Sequence, residues 1–297
     1  MEKIKRTIGY IFTHPIGKKH LFKSFYRFIL WQIQSSISPA KFFVKDYIQG
    51  VRFYARKGLT GITGNIYSGL HEFNDMAFLL HLLRQNDTFF DVGANVGSYT
   101  LLASGVCKAR SITIEPVPST FHILSKNMEL NGLHEKVLLI NSGAGSKEGK
   151  LTFSSDNDTT NHVISENETD QSETIEVTII TIDSLFINSP PVLIKMDVEG
   201  FETEVLKGMK QTLLSQSLKA IIIELNGSGV RYGFDESQIH ELLTANKFNP
   251  YNYDPFKRIL TPVEEFGNIN TIYCRDVNFI NDRLKNAPGI KIMGEII

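Results

Sequence analysis

The stretch TFFDVGANVGSYT (88–100) constrains the fold of this chain more than any other. Strand-favouring apolar residues lead into a turn that carries Gly93 and Gly97, and helix-like sequence follows. A strand, a glycine turn and a helix in that order open a doubly wound α/β sheet. Ligands of such sheets sit beyond the carboxyl ends of the central strands.

The rest of the chain repeats the alternation. Phe73, Met76, Ala77, Leu80 and Leu83 are spaced as one helix face before the strand TFFDVGA (88–94), and a helix is expected from Val96 to Ser104. RSITIEP (110–116) is a strand, Pro118–Asn131 a helix with a good stop at Asn131–Gly132, and KVLLINSGA (136–144) a third strand. Residues 145–174 are polar, with LTFSS (151–155) as the strand-like run, which suggests a β-hairpin and a mobile loop that could act as a lid. Strands at 175–182, 192–198 and 219–226 and helices at 201–214 and 235–248 follow, then antiparallel additions near 250–260 and 269–276. Strands alternating with helices at this interval predict a mainly parallel, doubly wound sheet with an antiparallel edge.

The turn itself narrows the ligand. A dinucleotide fingerprint from Gly93 would need glycines at 95 and 98, where the chain has Asn95 and Ser98, and no Lys-Ser/Thr pair follows Gly97 to make a phosphate loop. The pattern is Asp-x-Gly-x-x-x-Gly, which suits a ligand without phosphates. Gly93 would let the backbone approach the ligand, and Gly97 would let the helix start tight against the strand. Asp91 can accept bonds from the turn's amides or from a ligand ammonium. Glu115, ending the next strand, can accept both hydroxyls of a ribose. An adenosine with an amino-acid tail is S-adenosylmethionine. The alternative is an unrelated α/β turn with Glu115 on the surface.

DTFFDVGANVGSYT, TIEPVPSTFHILSKNMELNG, TIDSL followed by VLIKMDVEGFETEVLKG, and AIIIELN together resemble the FkbM family of S-adenosylmethionine-dependent methyltransferases over roughly residues 65–276. KMDVEG after DVGANVG is the most specific element. The leader HPIGKKHLFKSFYRFILWQI and the stretch GLTGITGNIYSGLHEF are also similar to the start of longer members. The resemblance implies a class I, Rossmann-like methyltransferase fold and O-methylation of a hydroxyl on a sugar, glycan or related natural product. A non-catalytic adenosine-binding or scaffold protein of the same fold is the alternative. The expected cofactor residues are Glu72, Asp91, Gly93, Asn95, Gly97, Glu115, Pro116, Ser142, Ala144 and Asp197. For Glu72 the resemblance implies a place near the methionine tail; an acid in a first helical turn is the other reading.

Methyl transfer needs an aligned acceptor and a group that takes its proton. Lys195, Asp197 and Glu199 share one face of a strand by period two, and Glu224 ends the next strand. Buried charges of this kind are costly unless paired. Asp197 is the first choice for general base or acceptor anchor, with Lys195, Glu224 and the loop residue His162 as further catalytic candidates. A structural ion pair with Glu199 capping the next helix is the alternative, and Asp197, Glu224 and Asn226 could instead hold a divalent metal. His162 could equally be an exposed loop histidine.

The net charge of −1 conceals an asymmetry. Residues 1–60 carry twelve Lys or Arg against Glu2 and Asp46, so they hold +10 and the remainder −11. Such a leader fits an anionic membrane, a glycolipid or an acidic glycan, or simply a solvated face; nucleic acid is not expected. In LFKSFYRFILWQI (21–33), Phe22, Phe25, Phe28 or Ile29, and Ile33 recur at helical spacing, which predicts an amphipathic helix lying on the protein body or on a membrane. No signal peptide and no run of ~18 apolar residues is evident, so the expectation is a cytoplasmic protein, peripheral to the membrane at most. Cys107 and Cys274 match no metal or disulfide spacing. The expected division is a basic extension (1–64), the sheet domain (65–276) and a tail (277–297).

Overall fold

The structure, a computed structural model, describes residues 2–155, 161–164, 173–186, 189–264, 266 and 270–297. Its central sheet has eight strands: β1 Thr88–Val92, β2 Arg110–Ile114, β3 Val137–Ile140, β4 Leu193–Met196, β5 Ala220–Glu224, β6 Asn249–Asp254, β7 Ile259–Pro262 and β8 Asn270–Cys274. The order across the sheet is β7-β6-β8-β5-β4-β1-β2-β3. The first five strands run parallel, while β8, β6 and β7 add antiparallel at one edge. The mainly parallel sheet with an antiparallel edge is therefore present. The piece expected near 250–260 folds as two strands, β6 and β7, joined by a turn at Asp254–Ile259.

The central strands are apolar almost throughout because helices cover both faces. Phe78 and Leu79 of helix Phe73–Leu82 and Ile280 and Leu284 of helix Val277–Lys285 are buried on one side. Leu206, Leu213 and Leu243 from three helices of residues 202–245 are buried on the other. Residues 277–297 thus contribute to the core, with Ile290, Ile292 and Ile297 buried as well.

Local differences from the sequence reading have physical causes. The helix expected over 201–214 is two, Glu202–Lys207 and Lys210–Leu214. Gly208 interrupts it where a Cβ would come within 2.0 Å of the Gly145 carbonyl oxygen. The expected helix 96–104 is one α turn, Ser98–Thr100, running into a π-helical stretch, Leu101–Val106. The strand expected over 136–144 ends at Ile140. Gly143–Ala144 instead joins a separate three-stranded sheet with the hairpin Gly149–Ser154/Thr174–Ile180. Most of the loop expected to form a lid, 156–160 and 165–172, lies outside the described residues.

The basic extension is folded onto the domain. Helices Glu2–Thr13, Pro15–Lys19 and Leu21–Ile37 precede a hairpin, Phe43–Asp46/Arg52–Ala55, and helix Thr60–Ser68. Ile11, Phe28, Trp31, Phe53 and Ile62 share one cluster with Leu101 and Leu124 of the sheet domain. His14 fixes the first corner: its Nδ1 accepts from the Ile16 and Gly17 amides and its Nε2 bonds the Leu70 carbonyl at 2.7 Å. The apolar stripe read over 21–33 divides between two faces. Phe28 and Trp31 are buried, whereas Phe22, Ile29 and Ile33 are exposed. No helix among the described residues is long and apolar enough to cross a membrane.

Candidate active site

The turns after β1, β2, β3, β4 and β5 all lie at one edge of the sheet, and β1 and β4 meet there at the point where strand order reverses. After β1, Gly93 has a positive φ of 78°, and a Cβ on it would stand 1.8 Å from the Asp197 carbonyl oxygen. The glycine therefore serves the close approach of two strand ends rather than only the backbone–ligand contact expected from sequence. Asp91, buried, accepts from the Thr100 amide at 3.0 Å and its hydroxyl at 2.6 Å, tying the strand to the following helix. Burial raises its pKa to about 6 despite these bonds.

Glu115 crosses the mouth of this turn. Its Oε2 accepts from the Asn95 amide and its Oε1 from the Val117 amide, both at 2.9 Å. Each oxygen keeps a second lone pair, so the side chain is oriented and still able to accept from a diol. Burial lifts its pKa to about 7, against the lowering effect of the two amides. The remaining turn amide, Val96 N, is taken by the side chain of Asn95 at 2.8 Å.

Beyond β4 the charges concentrate. Lys195 is 2% exposed; its Nζ bonds Asp197 Oδ2 at 3.2 Å and Asn270 Oδ1 at 3.0 Å. Asn270, on β8, donates in turn to Glu72 Oε1 at 2.8 Å and Asp75 Oδ2 at 3.2 Å, and the Tyr99 hydroxyl donates to Glu72 Oε2 at 2.6 Å. Burial alone would lower the Lys195 pKa, but Asp197, Glu72 and Glu224 outweigh it and hold the ammonium charged. The acids move upward. Burial and then Glu72 raise Asp75 to about 7; burial and then Asp197 raise Glu199 to about 7 and Glu224 to about 9. A carboxylate oxygen from each of Asp197, Glu199 and Glu224 lies within 4.8 Å of the others. Glu199 does not cap the next helix. Glu202 accepts from the Val198 and Gly200 amides at 3.1 and 3.3 Å and fixes that turn.

These residues border one cavity of about 720 Å³. Glu72, Asp91, Gly93, Asn95, Glu115 and Pro116 line it, and Ser142, Ala144, Lys195, Asp197 and Glu224 also border it. Three expected residues are placed elsewhere. Gly97 packs under Leu124 and Met128. His162 is buried behind the small sheet, its amide donating to Ser154 Oγ, while Asn161 reaches the cavity. Asn226 is exposed and accepts from the Ser228 amide at 2.9 Å, so Glu199 replaces it in the acidic cluster. Sequence reading missed Asp75 and Asn270, which bond behind Glu72 and Lys195, and the cavity wall supplied by the extension, including Arg6, Tyr10, Gln32 and Lys57. Tyr99, two residues beyond Gly97, could have been found from its place beside the glycine turn.

The donor set fits a cationic, phosphate-free ligand. The turn amides at 95 and 96 are already occupied, the buried Lys195 ammonium is paired, and carboxylates with raised pKa values face the cavity, which a sulfonium and an α-ammonium would relieve. Sheet order, switch-point cleft and acid-rich cradle define a class I methyltransferase. Residues 91–253 match the methyltransferase FkbM domain, and the chain belongs to that family. It is 32% identical over 176 residues to the hexuronic acid methyltransferase AglP of Haloferax volcanii, spanning 58% of this chain and 67% of that protein. Among solved structures it is similar to an rRNA methylase from Streptococcus thermophilus (14% identity, 67% of this chain and 91% of that one, TM-score 0.37). It is also similar to P. horikoshii TYW2 in complex with MeSAdo (13% identity, 78% and 69%, TM-score 0.41). Family membership implies S-adenosylmethionine as the methyl donor.

Proposed function

We propose that the protein transfers a methyl group to a hydroxyl of a sugar or glycan that carries an acidic group. The observation that carries this reading is the composite cavity. Its inner end holds Glu115, Glu72 and Asp197, and its outer wall is built by the extension, with the cations Arg6 and Lys57 among aromatic and amide side chains. The relative named for hexuronic acid methylation supports a sugar acceptor.

When bound, S-adenosylmethionine supplies a methyl group activated by a sulfonium. Glu115 would hold the ribose, and Glu72, linked through Asn270 to Asp75, would face the charged methionine end. Asp197, held by Lys195, takes the proton of the acceptor hydroxyl, and Glu224, kept protonated by burial and by Asp197, donates a hydrogen bond beside it. Arg6 and Lys57 anchor the acidic group of the sugar. Incubation with methyl-labelled S-adenosylmethionine and uronic acid glycosides tests this. Label should appear as an alkali-stable methyl ether. An alkali-labile methyl ester would move the reaction to the carboxylate, and transfer only to acceptors without sugar would refute the proposal.

A further inference from the structure

Helix Leu21–Ile37 is apolar on two opposite faces. Ser24, Phe28, Trp31 and Ser35 are buried against the body. Roughly half a turn away, Phe22, Tyr26, Ile29, Leu30, Ile33 and Ile37 form a continuous exposed row, with Phe22 at 88% and Ile37 at 77%. Helix Glu2–Thr13 adds Phe12, which is exposed and packs edge-on against Phe25 beside the row. A second apolar face with no partner on the protein body, presented as a contiguous exposed row, marks an interaction site.

The charge around the row says what covers it. Residues 1–60 hold +10, and among the described residues Lys19, bonded to Glu295, is the one Lys or Arg of that segment in an ion pair. Lys5, Lys18, Lys23 and Lys41, none of which lines the cavity, are exposed. A second copy of this chain would bring the same excess of positive charge to the contact, whereas anionic lipid complements both the apolar row and the cations. We propose that helices Glu2–Thr13 and Leu21–Ile37 dock the protein on an anionic lipid bilayer, with the row entering the headgroup boundary. The inner faces of the same helices line the cavity through Tyr10, Phe28, Trp31 and Gln32, so docking seats the outer wall of the cavity on the lipid surface. The surface stands independently of the methyl-transfer reading.

The test is co-flotation of the full chain with vesicles of phosphatidylcholine alone or with one third phosphatidylglycerol. Binding to the anionic vesicles should be at least tenfold stronger and should weaken severalfold from 50 to 500 mM salt. Ile29→Ser with Ile33→Ser should reduce it at least tenfold. Both positions are exposed, so the variant should keep its melting temperature and its affinity for S-adenosylhomocysteine. That affinity reports on the cofactor site separately from the docking surface. Failure to bind anionic vesicles overturns the proposal, as does binding that the double variant leaves unchanged. Sedimentation showing a dimer that the same variant dissociates, without vesicle binding, gives the row to a second copy and overturns it equally.

Discussion

Gly93→Ala is the smallest change that reaches the whole site at once. The added methyl carbon would stand 1.8 Å from the Asp197 carbonyl oxygen, while side-chain carbons stay at least 3.0 Å from such atoms. The two strand ends must separate by 1.2 Å (3.0 − 1.8). Alanine at a φ of 78° adds about 1–2 kcal/mol of backbone strain. The neighbouring chain is fixed by Asp197 N on the Val92 carbonyl and by the Gly93 and Ala94 amides on the Ile114 carbonyl, so it resists the shift. We expect a loss of about 2–4 kcal/mol in stability. A displacement near 1 Å at Asp197 should also lower turnover about 10²-fold. Urea unfolding, calorimetry with S-adenosylhomocysteine and a methyl-transfer assay read the three effects. A variant with wild-type stability and turnover would refute the packing of Gly93 on Asp197.

Four further outcomes follow from the acids. Asp75, Glu115, Glu199 and Glu202 sit near pKa 7 and Glu224 near 9, with burial the first cause in each, against ordinary values of 3.8 for Asp and 4.5 for Glu. Between about pH 4.5 and 9 the unfolded chain therefore binds fewer protons than the folded one, so ligand-free stability should fall as pH rises through that window; a melting temperature rising from pH 5 to 8 would contradict this. Glu202→Ala leaves the Val198 and Gly200 amides without their acceptor and should cost about 1–3 kcal/mol in urea unfolding, whereas Glu202→Gln keeps an acceptor and should restore most of it. Asp197→Asn should lower kcat about 10²–10⁴-fold with little change in cofactor affinity. Wild-type activity should survive a chelator because Lys195 already supplies a cation to Asp197; loss restored by Mg²⁺ would give Asp197, Glu199 and Glu224 a metal role.

Local pattern made the strand–turn–helix at 88–100 legible, as well as Glu115 at the next strand end and the Lys195–Asp197 pair. Each depends on a few adjacent residues and on the regular βα rhythm. What sequence did not show depends on distant chain. Asn270 joins Lys195 to Glu72 across 198 positions of sequence, and no periodicity announces such a partner. Gly93 reads from sequence as a ligand contact; that it also packs against the Asp197 carbonyl is visible only in the fold. His162 reads as a loop base because its burial arises from pairing with the hairpin. The two-faced character of helix 21–37 is hidden in sequence because Phe28 and Ile29 are adjacent, yet one is buried and the other exposed.

The cavity should bind the adenosine of the methyl donor through Glu115. Calorimetric titration of S-adenosylhomocysteine into wild type and Glu115→Gln at pH 8 tests it, since a carboxyl with pKa about 7 is then ionised. Glutamine keeps an oxygen acceptor for one of the two backbone amides but loses the charged acceptor for the ribose. Hydrogen bonds to charged groups contribute about 1.5–3 kcal/mol, so binding should weaken roughly ten- to hundredfold in a protein that remains folded. Equal affinity in the two proteins would contradict the assignment and place the adenosine elsewhere.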